Sequence, residues 1–83
     1  MPKAGSRGMT RSLFTRALTE VFPAGLGVSL AADEVLSKWN LTADEALERG
    51  YDPLEVWQEL LRETDRDTEE NLFWHLRDLK KAH

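Results

Sequence analysis

The chain contains no cysteine. That single absence excludes disulfide scaffolds, thiol catalysis, iron–sulfur clusters and cysteine-based zinc sites. No apolar run approaches the roughly 18 residues that a membrane span needs. The first eight residues, Met-Pro-Lys-Ala-Gly-Ser-Arg-Gly, lack the apolar segment of a secretory signal, so the chain reads as cytoplasmic. Only two histidines occur, His75 and the terminal His83, and neither stands in a metal-binding spacing. Ser6, Ser12, Ser29 and Ser37 sit in no nucleophile motif. Gly25-Leu26-Gly27 is too short for a phosphate-cradling loop and reads as a turn. Strand-type alternation is absent. With no catalytic residues, no metal ligands and no cofactor motif, the chain reads as non-enzymatic.

What is present suits one small globular domain. The chain has 83 residues, of which 41% are hydrophobic and 31% charged, a balance that supports a modest core and argues against wholesale disorder. Its net charge of −4 is unevenly spread: residues 1–28 carry +3 and residues 29–83 carry −7. The acidic body repels a phosphate backbone, which disfavours nucleic acid as a partner; the basic N-terminal segment is left as a solvated tail or a contact for something acidic.

The periodicity predicts an all-α fold, a compact single-domain bundle of about five short helices over 10–22, 30–39, 43–49, 53–63 and 68–81. Residues 1–8 read as a disordered leader, and the folded pattern begins at Met9, itself a candidate start site, so the domain spans 9–83. In the first helix, Leu13, Phe14, Ala17, Leu18, Val21 and Phe22 recur at spacings of three and four, with Arg16 opposite, and Pro23 ends the pattern. Ser29 is the expected cap of the second helix, Glu34 and Lys38 pair along it, and Asn40 closes it. Thr42 and Glu45 form a capping box for the third, with Gly50 as its terminator. Asp52, Pro53 and Glu55 repeat the start signal for the fourth. Asp67 and Glu70 do so for the fifth. The expected core is Phe14, Leu18, Phe22, Val35, Leu36, Leu47, Trp57, Leu60 and Leu61.

The acidic run from Asp65 to Glu70 fails as a calcium loop. The positions that need Gly and Glu hold Glu70 and Leu76. The second and third helices have the spacing of a helix-turn-helix, but the would-be reading helix 43–49 presents three acids against one Arg, the wrong donors for base edges. Trp39 and Trp57 fall on apolar stripes and read as core. Trp74 does not. At 100° per residue it points away from the stripe of Leu72, Phe73, Leu76 and Leu79, among polar neighbours. Either helix five packs on two sides, or Trp74 lies along Lys and Arg stems, or it is an exposed anchor. The anchor reading defines a candidate partner surface of Trp74, Arg77, Asp78 and Lys81, for an unknown protein or a second copy of the chain.

Residues 42–57 carry a more specific pattern: Thr42, Glu45-Ala46-Leu47, Gly50, Pro53 and Val56-Trp57, preceded by Phe14, Phe22 and the segment from Ser29 to Leu36. This order resembles a family of short actinobacterial proteins, domain of unknown function 3046, over residues 9–64. The resemblance implies a small helical domain without assigned chemistry. Genes of that family often neighbour the recombinase and its regulator, which implies a DNA-repair setting by association alone. Together these observations predict a protein-interaction or regulatory module, with a nucleic-acid-associated regulator using the basic N-terminus second and a small enzyme third.

Overall fold

A computed structural model describes residues 9–74 and Leu76. The expected leader 1–8, both histidines and most of the expected fifth helix beyond Trp74 lie outside the described residues. The order of elements is α1 Arg11–Val21, α2 Leu26–Asp33, β1 Val35–Leu36, β2 Leu41–Thr42, α3 Ala43–Glu48, α4 Pro53–Glu63 and α5 Glu69–Leu72. The domain is mostly helical, but the expected all-α class is corrected by a two-stranded antiparallel sheet that joins Val35 to Thr42 and Leu36 to Leu41.

Helix α1 starts where Thr10 accepts the Leu13 N–H at 3.1 Å. Phe14, Ala17 and Leu18 turn inward, and Phe22 follows them into the core in an extended conformation ahead of Pro23. Helix α2 departs from the expected 30–39. It begins at Leu26, capped not by Ser29 but by Gly25 in the left-handed region (φ 80°). The reason is tertiary. Gly27 lies against α1 so closely that a Cβ there would stand 2.4 Å from the Leu18 carbonyl oxygen and 3.0 Å from Phe22 Cδ2. What reads as a turn glycine is therefore the contact that lets α2 pack on α1. Gly27→Ala should cost about 1–3 kcal/mol through overpacking, read as a lowered denaturant midpoint. An unchanged midpoint would mean that the two helices do not meet at Gly27.

Helix α2 also ends early, at Asp33, and the chain becomes extended. Leu36 is fully buried while Val35 is 49% exposed, the two-residue alternation of a strand, so Val35 leaves the expected core. Asn40 is left-handed as expected (φ 59°), but it turns a hairpin rather than closing a helix. Trp39 and Asn40 both donate to the Leu36 carbonyl, at 3.1 and 2.7 Å. Lys38, expected to pair with Glu34, instead lies 3.6 Å from Glu59 on α4. The Ser37 N–H donates to Glu63 at 3.1 Å, a second tie from the hairpin to α4.

The next two helices follow their local signals. At α3, the Thr42 N–H donates to the Glu45 carboxylate at 2.9 Å, and the Glu45 N–H donates to the Thr42 hydroxyl at 3.2 Å, which completes the capping box. Its end is a Schellman motif. Gly50 is left-handed (φ 89°) and donates to Leu47, and Tyr51 donates to Ala46. Helix α4 covers the expected 53–63, with Asp52 at the N-cap and Pro53 at the first position, but the Asp52 side chain makes no capping hydrogen bond. Thr42→Ala should therefore cost roughly 1 kcal/mol and Asp52→Ala distinctly less. Equal shifts of the denaturant midpoint would contradict the difference.

Helix α5 is capped by Thr68, which accepts the Asn71 N–H at 3.3 Å; Asp67 does not hold the cap position. Phe73 ends this helix (φ −109°, ψ 25°), so the expected 68–81 is broken early. The core sits between α1 and α4 around Trp57, which is fully buried. Phe14 and Phe22 meet its ring edge to face, with centroids 5.8 and 6.2 Å away. Leu36, Leu47, Leu60 and Leu61 complete the expected set; Met9, Ala17, Ala31, Ala43, Ala46, Val56 and Trp74 join it.

Candidate interaction surface

The segment from Thr64 to Leu76 decides where a partner surface can lie. Helix α4 is capped at its end by Thr64, whose hydroxyl donates back to the Leu60 carbonyl at 2.8 Å. Asp65 then takes a left-handed conformation (φ 63°) and reverses the chain. Asn71 fixes the returning strap at two points. Its carbonyl accepts the Trp57 indole N–H at 2.8 Å, and its side-chain amide donates to the Arg66 carbonyl at 3.0 Å.

These ties set the rotation of the residues beyond Asn71. Trp74 is 6% exposed and belongs to the core, with the Arg16 guanidinium 6.0 Å from its ring centroid. The expectation that Trp74 faces outward is thereby corrected; Arg77, Asp78 and Lys81 lie outside the described residues. The outward reading assumes an uninterrupted helix from 68 to 81, and the break at Phe73 resets the angle. Arg16, expected on the solvent side of α1, borders the seat of Trp74 and also lies 3.8 Å from Glu20.

The same rotation turns part of the expected core stripe outward. Leu72 packs partly against the core, but Phe73 is 47% and Leu76 44% exposed. The Leu76 N–H donates to the Phe73 carbonyl at 3.0 Å, which holds the two residues in one turn. Elsewhere Leu26, Val28 and Val35 are exposed on α2 and β1.

A third feature is aromatic. Trp39, expected in the core, is only partly buried and packs edge to face on Tyr51, with centroids 4.9 Å apart. Lys38 lies over the Trp39 ring at 5.6 Å and reaches Glu59, which Arg62 also binds. Neither this pair nor the Phe73–Leu76 turn is in the expected partner surface. The sequence signal for the first is Trp39 immediately before the left-handed Asn40, a turn position rather than a helix interior.

The arrangement bears on the other chemistries too. Helices α2 and α3 are separated by the hairpin 35–42, which replaces the short turn of a helix-turn-helix. Among the described residues, no group of three or more His, Asp or Glu side chains is placed to hold a metal ion. Among them also, no helix is long and apolar enough to cross a membrane.

The fold is thus a small helical domain with an embedded hairpin, closed at one side by a C-terminal strap. The chain belongs to the DUF3046 family of proteins of unknown function, whose model matches residues 9–66. No curated protein and no solved structure matched the chain. The match covers the hairpin and α1 to α4 and ends at Arg66, ahead of the strap that carries Asn71, Phe73, Trp74 and Leu76.

Proposed function

We propose that this domain is a non-enzymatic, cytoplasmic protein-interaction module that uses the outer face of its C-terminal strap. The observation behind this reading is the outward pair Phe73 and Leu76 on a segment whose inner face is already committed to Trp57 and the core. Large apolar side chains held together in one turn contribute more to association than the flanking charges do. Nucleic acid is the weaker alternative. Of the basic N-terminal residues, Arg16 is engaged by Glu20 and Trp74, and the body of the domain is acidic.

The test is the double variant Phe73→Ser with Leu76→Ser. The two side chains are somewhat under half exposed, so melting should shift modestly, by about 1 kcal/mol per site or less. Proteins cross-linked to the wild-type domain in its native cell should be lost from the variant. Retention of the same set would overturn the reading. Salt-dependent retardation of duplex DNA by the wild-type chain would favour the nucleic-acid alternative instead.

A further inference from the structure

We propose that residues 68–74 exchange between copies of this chain, so that the seat holding Trp74 takes the same segment from a second molecule in a reciprocal dimer. This goes beyond the protein-interaction reading and does not depend on it, because it uses the inner face of the strap and not Phe73 or Leu76.

The seat is a built one. The Trp57 indole N–H offers a donor to a passing carbonyl, filled here by Asn71 at 2.8 Å. Arg16 of α1 borders the Trp74 ring. Arg66, just ahead of the strap, stacks over Phe22 at 5.0 Å and anchors the start of the return. The segment that fits this seat is the strap itself, and a second copy presents an identical one.

The hinge supplies the means. Helices α3 and α4 end in the same hydrogen-bond pattern. At the end of α3 the left-handed position is Gly50. At the end of α4 it is Asp65 (φ 63°), with Asp65 donating to Arg62 and Arg66 donating to Leu61. Glycine takes that conformation without steric cost; aspartate does not. The turn that folds the strap back therefore holds strain that a straight connection would release. Nothing between Glu63 and Thr68 forbids straightening, since the stretch Thr64-Asp65-Arg66-Asp67 contains neither Gly nor Pro. A helix continued across 53–72 would be about 30 Å long, enough to carry the strap clear of its own body and onto a neighbour. The strap is short, and its contacts include one turn of helix, the indole hydrogen bond, the buried Trp74 ring beside Arg16 and the partly buried Leu72.

Sedimentation of hinge variants tests the exchange. Deleting residues 65–67 leaves the connection too short to reverse, and the variant should sediment at twice the monomer mass. Adding Trp74→Ala to the deletion should return it to a monomer, because the exchanged segment has lost its anchor. At full length, Asp65→Ala should raise the dimer fraction and Asp65→Gly should lower it, in line with their tolerance of the left-handed turn. A monomeric deletion variant overturns the proposal. So does a deletion dimer that survives Trp74→Ala, or equal dimer fractions for the Ala and Gly variants. Phe73→Ser with Leu76→Ser should leave the exchange intact, which separates its failure from failure of the interaction surface.

Discussion

Trp57→Ala is expected to lower stability by about 3–5 kcal/mol, enough to unfold much of a domain whose total stability is typically about 5–15 kcal/mol. Trp57 is fully buried on α4 and is the largest fully buried side chain among the described residues. Its removal leaves a cavity bordered by Phe14 and Phe22, whose edge-to-face contacts with the indole vanish. Each such contact is worth about 0.5–1.5 kcal/mol beyond its area. The Asn71 carbonyl also loses the indole N–H that holds the strap. Trp57→Phe separates these effects in large part, since it keeps most of the apolar volume while deleting the donor. It should cost less in global stability and loosen residues 68–74 selectively. Urea unfolding followed by circular dichroism measures the first effect, and amide exchange across the strap the second. A Trp57→Ala variant with wild-type midpoint would remove α4 from the centre of the fold.

The parts of this fold that are legible in the sequence are those governed by neighbours in the chain. Between Thr42 and Glu63 each boundary has its own residue: Thr42 and Glu45 satisfy each other's N–H groups, Gly50 takes the left-handed turn, and Pro53 occupies a position where no N–H is needed. The helical spacing of Phe14 with Leu18 and of Trp57 with Leu60 and Leu61 likewise reports their burial. The illegible parts depend on distant residues. Gly27 is needed within α2 because a Cβ there would stand 2.4 Å from the Leu18 carbonyl oxygen, a contact that no local pattern reports. The strands at Val35–Leu36 and Leu41–Thr42 are too short to show alternation. Val35 and Leu36 read as one helical stripe because both are apolar, and only the hairpin sends them to opposite faces. At the candidate surface the error has one origin. A helical wheel assigns a direction to Trp74 on the assumption that the helix is unbroken, and the indole of Trp57, fourteen residues before Asn71, fixes the strap instead.

That displaced tryptophan carries the second large effect. An outward Trp74 could be truncated to Ala with little loss of stability; its burial reverses that expectation. With Trp74 at 6% exposure, truncation to Ala should cost about 3 kcal/mol, the lower end of the range for a buried Trp. The lower end applies because the strap can leave its seat. Once the strap undocks, no further penalty accrues from the cavity, so the loss is capped by the free energy of docking residues 68–74. The rest of the domain, α1 to α4 with the hairpin, should then stay folded. Two observables distinguish this from Trp57→Ala. Far-ultraviolet helicity should persist at temperatures where Trp57→Ala has unfolded. The Trp57 indole N–H, protected in the wild type by the Asn71 carbonyl, should exchange rapidly with solvent in Trp74→Ala, because the residue that pins the strap over it is gone. A variant that melts with the wild type and keeps the indole N–H protected would show that Trp74 does not hold the strap, and would return it to the solvent-facing role that its helical wheel assigns.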